Sequence, residues 1–165
     1  MATIGLKISV PKSWWSEENV LRELEKTLKK ETGKKIQKDF RTTVKGWSKE
    51  KRPKFPIRFR KNRNEMAVKV STTKDIYRFV NDGTEARLIV PRKKSALRFQ
   101  PGYRAGTRPG SISSSGGARS GALMHATYVR HPGIKPRLFD ETILKRSRLP
   151  FAVDVNKAIW RGMTD

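Results

Sequence analysis

The segment that most constrains the fold lies between residues 79 and 139 and alternates short apolar runs with turn signals. It contains no Asp or Glu from residue 86 to residue 139, whereas Lys and Arg recur throughout. Short apolar runs bounded by Gly, Pro and Asn are typical of strands joined by turns. The segment therefore combines strand and turn signals in a fixed order with a positively charged surface.

The overall charge points to a partner. The chain has 165 residues, which fits a single domain over residues 1–165, and its 38 Lys and Arg against 15 Asp and Glu give a formal net charge of +23. Its hydrophobic fraction is 35%, which is low for a self-sufficient globule. A subunit with this imbalance repels itself, so we expect nucleic acid, an anionic membrane or an acidic protein to neutralise it.

Cysteine is absent. This excludes disulfides and thiolate metal sites. No apolar run resembles a signal peptide or reaches the length of a membrane span. The expectation is a soluble protein of a reducing compartment.

The first third of the chain predicts a strand followed by a long helix. Residues 2–10 alternate apolar and polar side chains before a proline, which indicates a short strand. Over residues 16–46 an apolar stripe recurs every four residues, which predicts one long amphipathic helix. Gly33 lies inside it and is expected to mark a kink or a break. The stripe consists of Val20, Leu24, Leu28, Ile36, Phe40 and Val44.

Later segments predict a small sheet and further helices. The predicted strands are 57–60, 66–70, 76–80, 88–90, 96–99 and 124–130. We expect the first two to form a hairpin around residues 62–64 and the fourth and fifth to form another. Pro136 suits the first position of a helix. Pro150 is expected to interrupt that helix, leaving a second short helix over residues 151–159.

Residues 100–121 have the composition of a long, flexible, basic loop, rich in Gly and Ser. Together these elements predict an α+β fold. A long N-terminal helix packs on a small antiparallel sheet, a long basic loop is inserted, and helical segments follow at the C-terminus.

Residues with catalytic chemistry do not form a recognisable pattern. His125 and His131 would share a face of an uninterrupted strand, but no Cys or nearby acid completes a metal site, so His131 is interpreted as a turn residue whose imidazole bonds to backbone. Asp82, Glu85 and Arg87 faintly resemble a nuclease pattern, although Asp82 before Gly83 is more typical of a turn. We therefore predict no catalytic residues, no metal and no cofactor.

Aromatic residues alternate with basic ones in the predicted strands. A protein that binds single-stranded nucleic acid would stack bases on such rings. The competing interpretation, which the strand pattern favours, is that they form the core face of the sheet. These residues are Phe55, Phe59, Tyr77, Phe79, Phe99 and Tyr103.

Three segments read together resemble a known family. They are residues 79–91, residues 96–99 and residues 129–139, the last containing the sequence VRHPGIKPRLF. Their order is similar to that of the neck or tail-completion proteins, also described as head–tail joining or minor tail proteins, of long-tailed bacteriophages. The turns that carry the likeness are formed by Asp82, Gly83, Thr84, His131, Pro132, Gly133, Pro136 and Arg137.

The resemblance implies a structural virion protein without catalytic activity. Such a protein is made in the host cytoplasm and forms a homo-oligomeric ring at the head–tail junction, with six subunits favoured and twelve as the alternative. The implied partners are the adjacent head-closure or connector proteins, the tail terminator or tail-tube proteins, and genomic DNA in the channel, with no membrane. Two other classes stay open: a stand-alone basic nucleic-acid-binding protein and a nuclease.

The positive charge has two possible destinations. Most of it is expected to dock on acidic faces of adjacent rings, because strong phosphate binding in a channel would hinder DNA release. Sparse DNA contact is expected from the loop arginines. The candidate contact residues are Arg92, Lys93, Lys94, Arg104, Arg108 and Arg119.

Overall fold

The computed structural model describes residues 2–11, 13, 18–62, 64–102, 104–112, 117 and 119–164. The fold is α+β, as the sequence predicts. The elements in chain order are β1 (Ala2–Ser9), α1 (Glu18–Lys26), a π-helical segment (Thr27–Thr32), α2 (Gly33–Thr43), β2 (Ile57–Asn62), β3 (Glu65–Thr72), α3 (Asp75–Asn81), β4 (Arg87–Ile89), β5 (Leu97–Phe99), β6 (Met124–Ala126), β7 (Val129–His131) and α4 (Phe139–Thr164).

The main sheet has three antiparallel strands in the order β1-β3-β2. The predicted strands 2–10, 57–60 and 66–70 and the hairpin between the last two are confirmed, although Arg63 in the turn lies outside the described residues. Alternate residues share a face, and on β3 the side chains of Met66, Val68 and Val70 are all fully buried. This face of the sheet therefore forms one wall of the hydrophobic core.

The long N-terminal helix forms the opposite wall. It runs without interruption through α1, the π-helical segment and α2, and the start predicted at residue 16 lies outside the described residues. Each four-residue step advances about 40° around a helix of 3.6 residues per turn, so a strict four-residue stripe drifts away from one face. The wider π turn, in which the Gly33 N–H donates to the Leu28 carbonyl five residues earlier, offsets part of that drift. The stripe therefore stays in the core along the helix.

Gly33 does not break the helix, so the expected break at this position is wrong. Its φ of −59° and ψ of −41° are helical. A Cβ placed on Gly33 would lie 2.9 Å from Ile57 Cγ2 and 3.1 Å from Val68 Cγ2. The glycine is there because the helix approaches the sheet closely at this position.

Residues 76–80 belong to the helix α3, so the predicted third strand is wrong. The apolar pattern of this run fits a helix as well as a strand, and the burial of its side chains distinguishes between the two structures. Tyr77 and Asn81, four residues apart, are the buried residues of α3. The Tyr77 ring contacts Phe40 and Phe55 at centroid distances of 5.9 and 5.2 Å and Phe139 at 5.9 Å. Burial raises the pKa of the Tyr77 phenol above its usual value.

The short strands pair differently from the prediction. Strand β4 pairs with β7 and β5 pairs with β6, so 88–90 and 96–99 do not form a hairpin with each other. The predicted strand 124–130 is split at Thr127 and Tyr128, because its two halves belong to different ribbons. The chain thus travels outward along β4 and β5 and returns along β6 and β7, forming two nested ribbons.

Helix α4 is continuous through Pro150, which corrects the predicted interruption. Packing on both sides of the proline holds the helix together, since Ile143 is fully buried before it and Asp154 forms an ion pair with Lys35 at 2.7 Å after it. Farther along, a Cβ on Gly162 would lie 2.4 Å from the Val20 Cα, so α4 crosses α1 at close range. No helix in the described part of the chain is long and apolar enough to cross a bilayer.

Residues 86–130, which we call the arm, lie almost entirely outside the core. Among its described residues only Ile112 packs against the core cluster. The other described core side chains come from the main sheet, the long helix, α3, α4 and the residues Val10, Val44, Trp47 and Phe55. The arm includes the predicted loop 100–121, whose mobility stays a prediction.

We predict that Gly33→Ala destabilises the protein although alanine is the better helix former. The added methyl group would overlap Ile57 and push the helix off the sheet, at a cost of about 1–3 kcal/mol. Lys34→Ala, at the exposed neighbouring position, is the control and should change stability by less than about 0.5 kcal/mol. Urea denaturation of both variants measures the difference, and equal stabilities would contradict the close-approach interpretation.

Candidate functional site

The two turns that carry the sequence resemblance lie against each other. The Thr84 N–H donates to the Ile134 carbonyl at 3.0 Å, and the Ile134 N–H donates to the Thr84 carbonyl at 2.9 Å. These two hydrogen bonds form an antiparallel bridge between segments that are fifty residues apart. We call residues 80–85 and 131–140 the clasp, because they join the two ends of the arm at one point.

Two glycines permit this close approach. Gly83 has a φ of 81° and Gly133 a φ of 87°, in the left-handed region that favours glycine, as their turn positions predict. A Cβ on Gly83 would lie 2.6 Å from the Ile134 carbonyl oxygen. A Cβ on Gly133 would lie 2.2 Å from the Thr84 carbonyl oxygen. Each turn therefore leaves room for the backbone of the other.

Asn81 connects the clasp to α4, a role that sequence reasoning missed. Its side chain is buried, and its Oδ1 accepts a hydrogen bond from the Asp140 N–H at 3.2 Å. Its carbonyl accepts from the N–H groups of Arg137 and Leu138 at 3.0 and 3.1 Å. Asn81 thus caps α4 from a distant part of the chain. The sequence gives one indication of this contact. No residue with a capping side chain stands just before Phe139, which suggests that the cap comes from elsewhere in the chain.

Pro136 is not the first residue of α4, which begins three residues later at Phe139. Leu138, with a φ of 55°, turns the chain just before the helix. Arg137 contributes through its backbone: besides donating to Asn81, its carbonyl accepts from the Gly110 N–H at 3.2 Å. That bond ties the 100–121 segment to the clasp.

The two histidines lie on different strands. His131 Nδ1 accepts a hydrogen bond from the Gly133 N–H at 3.0 Å, so the imidazole supports the turn as the sequence interpretation expects. His131 lies on β7 opposite Arg87, whereas His125 lies on β6 opposite Arg98. The two histidines therefore do not share the face of one strand. The described residues contain no group of three His, Asp or Glu that could hold a metal ion.

The nuclease-like residues are not arranged as a site in the described structure. Asp82 Oδ1 accepts a hydrogen bond from Asn81 Nδ2 at 2.6 Å, so this carboxylate is used within the turn. Glu85 and Arg87 are exposed at the base of the arm. This arrangement favours the turn interpretation of Asp82 and Gly83.

The arm displays its cations on the surface. All six candidate contact residues are exposed, and none forms an ion pair with a described carboxylate. Arg92, Lys93 and Lys94 follow β4, and the others lie in the 100–121 segment. Their role in contacting a partner or DNA stays a prediction.

Exposed apolar side chains accompany these cations. On the arm they are Leu88, Val90, Leu123, Met124 and Tyr128. Leu149 and Trp160 are exposed by 75% and 70%, the highest values among the large hydrophobic residues described. These two share one face of α4 with Val153 and Met163. The sequence analysis missed this stripe, because the predicted break at Pro150 separates Leu149 from the other three residues.

The predicted aromatic pattern is divided between core and surface. Phe55 and Tyr77 are buried, Phe59 and Phe99 are half-buried, Phe79 is exposed, and Tyr103 lies outside the described residues. The core interpretation holds for Phe55, Phe59 and Tyr77, which belong to the core cluster or pack against it. It does not hold for Phe79 on α3, nor for Phe99 on the arm, which lie outside that cluster.

We predict that Gly133→Ala destabilises the protein more than Gly110→Ala. Both glycines have a positive φ, 87° and 74°, so both substitutions strain the backbone by about 1–2 kcal/mol. Only at position 133 does the new Cβ collide with backbone, since a Cβ on Gly110 meets nothing within 4 Å. Thermal denaturation should therefore show a larger loss for Gly133→Ala, and equal losses would show that the clasp is not tightly packed.

Comparisons with protein-family models, with curated proteins and with solved structures gave no significant match to this chain.

Proposed function

We propose that this protein is a structural virion protein of a tailed bacteriophage, a ring-forming neck or tail-completion subunit at the head–tail junction through which DNA passes. The observation that supports this best is the arm. It extends from the clasp, its described residues add only Ile112 to the core, and it exposes both apolar and cationic side chains.

An arm of this kind is not explained by the stability of its own subunit. Two-stranded ribbons are marginally stable in water by themselves. The strands β4–β7 contact mainly their ribbon partners. Apolar side chains on such ribbons gain free energy when a neighbouring chain covers them. The arm is therefore best understood as a contact with another subunit.

A second surface on α4 supports a ring. Head-to-tail association needs two different patches on each subunit, and it closes into a ring when the rotation between subunits allows. The stripe with Leu149 and Trp160 at its ends lies on α4, separate in the chain from the apolar residues of the arm. The two patches together meet this requirement. The resemblance favours six subunits, with twelve as the alternative.

The arm cations complement acidic neighbours. Arg92, Lys93 and Lys94 dock on adjacent head-closure, connector or tail-terminator rings, and Arg104, Arg108 and Arg119 make sparse contacts with DNA in the channel. Unpaired exposed cations steer association with a surface of opposite charge. Neutralising the first three should block head–tail joining.

The second candidate function is a stand-alone nucleic-acid-binding protein, favoured by the net charge of +23. Gene neighbourhood distinguishes the two candidates. Portal, head-closure and tail-tube genes beside this one would support the virion protein, and their absence would favour the second candidate.

We predict that the arm can be shortened without unfolding the subunit. Ile89 and Val129 are directly opposite each other in the antiparallel β4–β7 ribbon, so an Asn-Gly turn can join them in place of residues 90–128. Among the described residues of the deleted segment only Ile112 packs against the core, so the free energy of unfolding should fall by no more than about 1–3 kcal/mol. Native mass spectrometry and electron microscopy should then show folded monomers that do not form rings. Normal rings from this variant would contradict the proposal.

We also predict that Trp160→Ser weakens assembly and leaves the subunit stable. The indole is 70% exposed, so its loss should change the free energy of unfolding by less than about 0.5 kcal/mol. Buried interface tryptophans often contribute about 2 kcal/mol or more to binding, which predicts a large shift from rings toward monomers. Lys157→Ser, also exposed on α4, is the control. Sedimentation profiles that are equal for the two variants would exclude α4 from the interface.

A further inference from the structure

A second basic surface lies on the body of the protein, away from the arm. It is an open groove between the C-terminal part of α2 and the segment that leads to β2. Five of the residues that line it are cations and none is a carboxylate. The lining is formed by Gln37, Lys38, Arg41, Thr42, Lys45, Arg52, Pro53, Lys54, Phe55 and Pro56.

None of the cations of this groove is paired with a described acidic side chain, whereas Lys26 and Lys29 on the first half of the helix are. There Lys26 pairs with Glu23 at 2.8 Å and so lowers the pKa of that carboxyl, and Glu25 pairs with both Lys29 and Lys61. None of the groove's five cations takes part in such a pair. The first half of the helix therefore carries acids that pair with some of its cations, whereas the described lining of the groove has cations and no carboxylate.

The groove is held in place before any ligand arrives. Gln37 Nε2 donates to the Phe55 carbonyl at 2.6 Å, and the Phe40 and Phe55 rings stack at a centroid distance of 4.8 Å. Arg52 Nη2 donates to the carbonyls of Lys45 and Trp47 at 2.7 and 2.9 Å. Arg52 thereby offsets the negative end of the helix dipole, which would otherwise oppose an anion. A preformed site loses less entropy on binding.

The residues that line the groove are better suited to bind phosphate groups than to bind nucleic-acid bases or a peptide. Its one aromatic ring, Phe55, is only 2% exposed, so no ring in the lining is available to stack a base, which single-strand binders usually need. Apart from the aliphatic stems of the cations, the apolar lining is limited to Phe55 and two prolines. Phe55 and Pro53 are themselves buried, so the described lining offers an acidic peptide no large apolar side chain as an anchor.

We propose that this groove binds the phosphate backbone of duplex DNA without reading its sequence. The contacts are charge-assisted hydrogen bonds and ion pairs from Lys38 and Arg41 on α2, from Lys45 in the turn that follows α2 and from Lys54 on the facing segment. Arg52 positions that segment. The groove is distinct from the arm cations. Its DNA binding does not depend on ring formation.

Duplex DNA titrated by fluorescence anisotropy over about 50–200 mM salt tests this. Replacing Lys38, Arg41 and Lys45 by Gln should lower the slope of log affinity against log salt by about 3, close to 1 for each phosphate that is no longer neutralised. The matched control replaces Arg22, Lys30 and Lys34 by Gln. It removes the same charge from exposed positions on the same helical rod and should change the slope by less than about 1. Thermal melts check that each variant is folded.

A second variant keeps the charge and changes the side chains, with Lys38→Arg, Arg41→Lys and Lys45→Arg. Because phosphate contact needs cations at these positions more than a particular shape, this variant should bind like the wild type. Three results would overturn the proposal. The first is that both Gln triples weaken DNA binding equally. The second is that a triple of Arg92→Gln, Lys93→Gln and Lys94→Gln by itself removes all of the DNA binding. The third is that polyglutamate competes for the groove as well as DNA does at equal charge.

Failure of the ring proposal is distinguishable from failure of the groove proposal. Native mass spectrometry of the same variants measures assembly separately from DNA affinity. Groove-dependent DNA binding by a protein that forms no ring would support the groove and favour the second candidate function. Rings that form normally without groove-dependent DNA binding would overturn the groove and leave the ring standing.

Discussion

The pair of backbone hydrogen bonds between Thr84 and Ile134 is the constraint on which the rest of the structure depends. It fixes both ends of the arm at one point, directly beside the Tyr77 cluster and the start of α4. Once the ends are joined, the entropic cost of the chain between them grows only logarithmically with its length. A long insertion such as residues 100–121 therefore costs little, and the arm need not contribute to the core. The conformational freedom of Gly83 and Gly133 is what makes this junction possible.

The clasp also separates the chain into two parts with different electrostatics. Every one of the 15 Asp and Glu residues lies outside residues 86–139, where several of them form ion pairs with body cations. The arm has cations and no acids. On the body, the described lining of the groove beside α2 likewise has cations and no carboxylate. Positive charge therefore lies on two separate surfaces. One is the arm, which projects from the body, and the other is the groove, which is formed before a ligand binds.

Local signals in the sequence predicted those parts of the fold whose partners are close in the chain. The β2–β3 hairpin, the long helix and the conformations of the two clasp glycines belong to this group. The errors come from distant contacts. The pattern of residues 76–80 fits both a strand and a helix, and it is the burial of Tyr77 against distant side chains that favours the helix. Asn81 caps a helix 59 residues away, which no local pattern can indicate. The pairing of β4 with β7 likewise joins segments some forty residues apart, and Pro150 is tolerated because packing holds α4 on both sides.

Charge on the arms has a consequence for how the proposed ring would assemble. Exposed charges interact over about 8–10 Å at physiological ionic strength, so subunits repel each other strongly only when their arms come close. In the proposed ring, apolar contacts between the arm and α4 would favour closure, while the accumulating cations would oppose it. An acidic neighbouring ring would remove that opposition, and so would DNA enclosed in the proposed channel. The proposed ring would therefore be more stable beside the correct neighbour than by itself.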